Sequence, residues 1–97
     1  MKSYCVYLLL CNNGAYYTGY TDNLEKRYQL HLSGKASKYT RAFKPVKIAR
    51  VFQVGEDKSE AMRLEKRIKS LSKAKKLVLI KKPAIHVDEL LASLTCS

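Results

Sequence analysis

Apolar and polar positions alternate with a readable rhythm along the first half of the chain. Tyr4 to Cys11 is apolar and rich in aromatic and aliphatic residues, which reads as a strand. Asn12-Asn13-Gly14 follows, and an Asn-Gly pair suits a type I′ hairpin because both central residues there need positive φ. Tyr16 to Tyr20 then reads as the returning strand. Asp22, with Glu25 three residues on, has capping-box spacing and opens a helix over about 23–33, with Leu24 and Tyr28 facing the core and Gly34 as a left-handed cap. Lys35 to Pro45 is rich in turn-forming and basic residues and reads as an exposed loop. Val46 to Val54 is a third strand, with Val46, Ile48, Phe52 and Val54 on one side and Arg50 interrupting it.

Gly55 ends that strand, and Asp57 with Glu60 repeats the capping spacing. A second helix spans about 58–71, its apolar stripe made of Ala61, Leu64, Ile68 and Leu71. Ser72 caps a third helix over about 73–82, stopped by Pro83. Ile85 to Leu94 reads as a last short docking helix with Leu90, Leu91 and Leu94 inward. The order β-β-α-β-α-α implies an α+β fold, a small antiparallel or mixed sheet with helices packed on it. One domain over 1–82 and a tail over 83–97 account for the chain.

Composition narrows the function. The 97 residues carry 19 Lys+Arg against 8 Asp+Glu, a formal charge of +11. Of the basic residues, 16 fall within 35–82. A basic region that dense points to a polyanion, nucleic acid or acidic lipid. A membrane-surface helix over 58–82 is disfavoured, because its apolar stripe is needed for so small a core and it lacks Trp and Phe. The Tyr4–Cys11 run is far shorter than the roughly 20 residues of a membrane span. Met1-Lys2-Ser3 leads into strand-like sequence with no cleavable signal, so a cytoplasmic location is expected. Cys5, Cys11 and Cys96 are too few and too scattered for a disulfide framework or a zinc site.

Three features carry candidate chemistry. Arg27 and His31 are spaced i, i+4 and share a helix face. Glu65 stands at the edge of the second helix's stripe amid Arg63, Lys66, Arg67 and Lys69. Such a carboxylate is either one half of a surface ion pair or a lone ligand for a hard cation. Tyr7 and Tyr17 lie on paired strands, either as packed aromatics with hydroxyls at the rim or as phenols aimed at a phosphate or a water. In the basic stretch, Lys35, Lys38, Arg41, Lys44 and Lys47 flank Tyr39 and Phe43, a mixture suited to backbone contact and to stacking on an unpaired base.

Cys5-Val6-Tyr7 and, ten positions on, Tyr17-Thr18-Gly19 resemble the paired strand motif of the GIY-YIG nuclease superfamily. Arg27 and His31 fall where that family has its helix Arg and a following His or Tyr, and Glu65 where it has its metal-binding Glu. Gly34-Lys35, Lys38-Tyr39-Thr40-Arg41 and Leu71-Ser72-Lys73-Ala74 look like the short stand-alone bacterial members. Cys5, Val6 and Thr18 depart from the motif at packing positions, and Tyr20 stands where some members have Lys.

The resemblance implies a three-stranded antiparallel sheet flanked by helices and a metal-dependent DNA endonuclease acting in repair or recombination. The alternative is a non-catalytic nucleic-acid-binding module that keeps the fold. One ion, Mg²⁺ or Mn²⁺, would sit on Glu65, and Arg27 would place fixed charge on the phosphate. Tyr7 would take the proton of the attacking water, with Tyr17 in support and His31 orienting or relaying. Gly19 would be structural. DNA is the expected partner, with no membrane and no obligatory protein partner. A tyrosine base must be brought from about 10 toward 7–8, a bias of roughly 3–4 kcal/mol, and a metal, Arg27 and a basic surface have the right sign.

Overall fold

The fold comes from a computed structural model, and the structure describes residues 2–81. The elements are β1 (Tyr4–Cys11), β2 (Tyr16–Thr21), α1 (Leu24–Leu32), α2 (Lys38–Ala42), β3 (Pro45–Gly55), α3 (Lys58–Lys69) and α4 (Lys73–Lys81). The sheet has the order β2-β1-β3 with both pairings antiparallel. β1 is the central strand, which is why Cys5 through Leu9 are all buried and the strand is apolar on both faces. The docking helix expected over 85–94, and the tail from 83, lie outside the described residues. Among the described residues no helix is long and apolar enough to cross a membrane.

The two faces of the sheet are covered differently. Val6, Leu8 and Phe52 pack with Ala61, Leu64 and Ile68 of α3, Leu71, and Leu79 of α4 into the apolar core. α4 is tied to the sheet twice: the half-buried Lys76 Nζ donates to the Tyr16 carbonyl at 3.3 Å, and Arg50 donates to the Ile80 carbonyl at 3.3 Å. Arg50 also lies over the Phe52 ring, 5.0 Å from its centroid. The residue that interrupts the third strand therefore covers the edge of this core. The opposite face presents Cys5, Tyr7, Leu9 and Cys11 to α1 and α2, and there the fully buried partners are polar, His31 and Thr40.

Four local expectations are corrected. The β1–β2 turn is not type I′, because Asn13 keeps negative φ and only Gly14 (φ 83°) is left-handed. Gly14 N donates to Cys11 O, and Cys11 N to Ala15 O, the pattern of a type I turn closed by a glycine bulge. The N-cap of α1 is Asn23, whose Oδ1 accepts from Lys26 N at 3.2 Å, while Asp22 pairs with Lys2 at 3.5 Å. The segment from Lys35 to Pro45 holds a helix, α2, capped by Ser37 Oγ accepting from Thr40 N at 3.1 Å. On β3 the alternation fails, because the register skips Val46, Ala49 and Val54. Ile48 thus opposes Leu9 on the α1 side, and Val46 is 60% exposed. The C-terminus of α1 does follow expectation: Gly34 (φ 79°) donates to His31 O, and Lys35 N to Leu30 O.

Candidate active site

The site begins with a strand pairing. Tyr7 of β1 lies opposite Gly19 of β2. A Cβ built on Gly19 would fall 2.6 Å from Tyr7 Cζ, so the phenol ring occupies the space that any side chain at 19 would need. Gly19 is here for clearance, not for a special backbone angle. With nothing in its way, the Tyr7 side chain runs across β2 toward the sheet edge. Its hydroxyl is fixed at 2.7 Å from His31 Nε2, and the two rings meet edge-on with centroids 5.7 Å apart. His31 Nδ1 is 2.7 Å from Thr40 Oγ1, which is in turn 2.8 Å from Ser37 Oγ. His31 is the one buried residue of α1, while Leu24 and Tyr28, the apolar positions expected to seat this helix, are only half-buried.

At the β2 edge the two layers of the protein open into one cleft of about 370 Å³. β1 and β2 contribute Tyr7, Tyr17 and Gly19, α1 contributes Arg27 and His31, and α3, from the other face of the sheet, contributes Glu65. The five residues singled out for catalysis thus line a single space. Glu65 lies half-buried in the cleft wall, its Oε1 3.3 Å from Lys69 Nζ one turn along α3. Asp22 at the rim is paired with Lys2, and Arg27 and Lys58 face the same space with no ion pair among the described residues. Of the described residues no three His, Cys, Asp or Glu cluster as metal ligands. A cation held here would rest on Glu65, with water and substrate oxygens completing its shell, the arrangement that Mg²⁺ favours.

The electrostatics set burial against charge. Burial pushes the Tyr7 phenol well above its ordinary value. The neighbouring Tyr17 adds to this, Arg27 works against it, and the Glu65 carboxylate again raises it. The basic surroundings do not by themselves ready Tyr7 as a base; desolvation outweighs them. His31 is pushed down from 6.5 to about 4 by burial first and the Arg27 charge second, so its ring is neutral at pH 7.

The basic and aromatic residues divide. Tyr39 of α2 stacks on Tyr17, with centroids 6.0 Å apart and planes at 21°, and Phe43 lies 5.3 Å beyond. Tyr17 in turn meets His31 edge-on at 5.1 Å. An aromatic row therefore runs from the cleft to the exposed surface, where Tyr39 and Phe43 are each about two-fifths exposed. Asn13 Nδ2 donates to the Tyr39 hydroxyl at 2.8 Å and ties α2 to the hairpin turn. Lys35, Lys38 and Arg41 are exposed beside this row. Lys44 turns its ammonium onto the Leu32 carbonyl at 3.3 Å, at the end of α1. Lys47 lies on β3, the edge strand farthest from the cleft. Thr40 and Ser37 belong to the site's support and were not singled out from the sequence. Their signal was the cap spacing of a Ser three residues ahead of a Thr, lost inside a stretch read as loop.

Comparison with known proteins identifies the family. Residues 3–77 match the model of the GIY-YIG catalytic domain. The chain belongs to the GIY-YIG domain family. Its relatives include UPF0213 proteins: one from Xanthomonas axonopodis pv. citri is 42% identical over 89 residues, covering 92% of this chain and 86% of the relative. Another, from Oceanobacillus iheyensis, is 47% identical over 79 residues, covering 81% and 91%. The solution NMR structure of a UPF0213 protein from Bacillus halodurans superposes with a TM-score of 0.51 at 39% identity over 98% of both chains.

Two outcomes follow for the site. Gly19→Ala should cost about 1–3 kcal/mol by overpacking against the Tyr7 ring. In a chain carrying Tyr7→Leu the same change should cost much less, a coupling readable in urea unfolding of the four-member cycle; equal costs in both backgrounds would show that the ring does not occupy this space. The second outcome concerns acid. Between pH 6.5 and about 4 the unfolded chain takes a proton at His31 that the folded chain refuses. Stability is therefore fully present above pH 6.5 and falls as pH drops toward 4, by up to about 2–3 kcal/mol. Unfolding of His31→Gln should lack that part of the pH dependence.

Proposed function

We propose that this protein is a divalent-metal-dependent endonuclease that hydrolyses phosphodiester bonds in DNA, in repair or recombination. The observation that carries the reading is the convergence of Tyr7, Tyr17, Arg27, His31 and Glu65, from four elements and both faces of the sheet, on one cleft. A buried phenol, a guanidinium and a lone carboxylate are the parts that phosphate-ester hydrolysis calls for: a proton acceptor, fixed positive charge and a seat for a hard cation.

Glu65 is the residue that would hold Mg²⁺ or Mn²⁺, which supplies positive charge for the phosphoryl and leaving oxygens. The half-buried carboxylate with a displaceable surface lysine as partner fits that group. Arg27 contributes a permanent charge to the phosphate, and its planar fork can bind two of the oxygens at once. Hydrolysis needs a proton removed from the attacking water. Tyr7 would accept it as the phenolate, the form that Arg27 favours and burial opposes. His31 holds the Tyr7 oxygen in place through Nε2. Tyr17 stands beside Tyr7 as a supporting donor. Lys35, Lys38, Tyr39 and Arg41, outside the cleft, would bind the flanking sugar–phosphate chain and stack on an unpaired base; Lys44 and Lys47 would add charge at longer range.

The test is nicking of supercoiled plasmid and of branched, nicked, single-stranded and duplex substrates, with Mg²⁺, Mn²⁺ or chelator. The wild type should cut with metal and not with chelator. Tyr7→Phe and Glu65→Gln should each lower the rate by about 10²–10⁴-fold while DNA affinity stays close to wild type. Wild-type binding without cutting under any metal would establish the binding-module alternative, and cutting by either variant at the wild-type rate would refute the role of the residue replaced.

A further inference from the structure

From Tyr7 and His31 a buried hydrogen-bond chain continues to Thr40 and Ser37, which none of the roles above uses. It runs from Tyr7 Oη to His31 Nε2 (2.7 Å), from His31 Nδ1 to Thr40 Oγ1 (2.7 Å), and from Thr40 Oγ1 to Ser37 Oγ (2.8 Å). Thr40 is wholly buried and His31 is 1% exposed, so neither can exchange these partners for bulk water. A neutral imidazole donates from one nitrogen and accepts at the other, so the whole chain points one way or the other.

The two directions differ in which end keeps a spare proton. In one, the Tyr7 hydroxyl donates to His31 Nε2, Nδ1–H to Thr40 Oγ1 and the Thr40 hydroxyl to Ser37 Oγ, which also accepts from Thr40 N at 3.1 Å; the spare proton is then on the half-buried Ser37. In the other, Ser37 donates to Thr40 Oγ1, Thr40 Oγ1–H to His31 Nδ1, and His31 Nε2–H to the Tyr7 oxygen, and the spare proton is the one on Tyr7, free to point into the cleft. The second direction is the one that serves a phenolate, since an Nε2–H donor stabilises it and an Nε2 lone pair would oppose it.

We propose that Thr40 is a positioning residue that fixes His31 in its Nε2-protonated tautomer and thereby aims the Tyr7 hydroxyl into the cleft. Thr40 acts through His31 and touches neither substrate nor ion. The same hydroxyl joins α2, with Lys38, Tyr39 and Arg41 on it, to the reacting phenol, so the segment proposed to hold DNA and the group proposed to move the proton are set by one contact. The inference rests on the nuclease reading, because the phenolate selects the direction; the spectra read the tautomer independently of any cutting.

Long-range ¹H–¹⁵N spectra of the imidazole rings test it in the intact chain, with the His31 signals assigned by their loss in His31→Gln. Wild type should show His31 protonated at Nε2 with Nδ1 as acceptor. Thr40→Val, which keeps the shape and removes the hydroxyl, should mix or reverse the tautomer. In metal-dependent nicking it should lower kcat by about 10–100-fold with KM little changed, and Thr40→Ser should restore both tautomer and rate. A wild-type ring protonated at Nδ1 overturns the proposal without any variant. So do a Thr40→Val ring and kcat equal to wild type, or a Thr40→Ser chain as slow as Thr40→Val. Absence of nicking by the wild type would refute the nuclease reading and leave the spectra to decide the tautomer.

Discussion

The Tyr7 ring lies across a strand position that has no side chain, and from this clearance at Gly19 the rest of the site follows. The pairing of Tyr7 with Gly19 is set by the hairpin, so the turn at Asn12 to Gly14 fixes which residue opposes the phenol. A slip of one position would turn Tyr7 to the apolar face. In the register that forms, the ring crosses β2 to the sheet edge and meets the groups that reach there from both sides. α1 brings Arg27 and His31 from one face, and α3 brings Glu65 from the other. The edge of a three-stranded sheet is the place where residues from opposite layers can share a space without crossing the core.

The two layers serve opposite ends. The α3 and α4 side is apolar and closely packed, and it supplies the hydrophobic driving force. The α1 and α2 side buries a histidine and a threonine, which is tolerated because each polar atom has a partner. That polar layer costs stability relative to an apolar one, and it returns a rigidly aimed phenol. Thr18 shows the opposite case: its hydroxyl is buried without a partner among the described residues, at a motif position where an aliphatic side chain would fit.

Much of this was legible in the amino acids. The strand pair, the capped helices, the stripe Ala61, Leu64, Ile68, Leu71 and the set Tyr7, Tyr17, Arg27, His31, Glu65 all rest on local periodicity or motif order, and the structure has the elements and the grouping. What was not legible depends on tertiary contact. α2 reads as loop because its anchor, the buried Thr40, is polar and seats on a histidine of another helix. The alternation of β3 fails because bulges, invisible to period-two reading, reverse its faces. That burial holds the Tyr7 phenol above its ordinary range was not legible either, because a count of nearby cations says nothing of how deeply the ring is buried.

The central claim is that a cation on Glu65 and the phenol on Tyr7 share one space at the β2 edge. Titration of Mn²⁺ into isotope-labelled protein tests it most directly, since the unpaired electrons broaden only nearby resonances. Broadening should centre on the Tyr7 ring, the Gly19 amide and the Arg27 side chain, and should be lost in Glu65→Gln. Broadening centred elsewhere, or unchanged by that substitution, would contradict the claim.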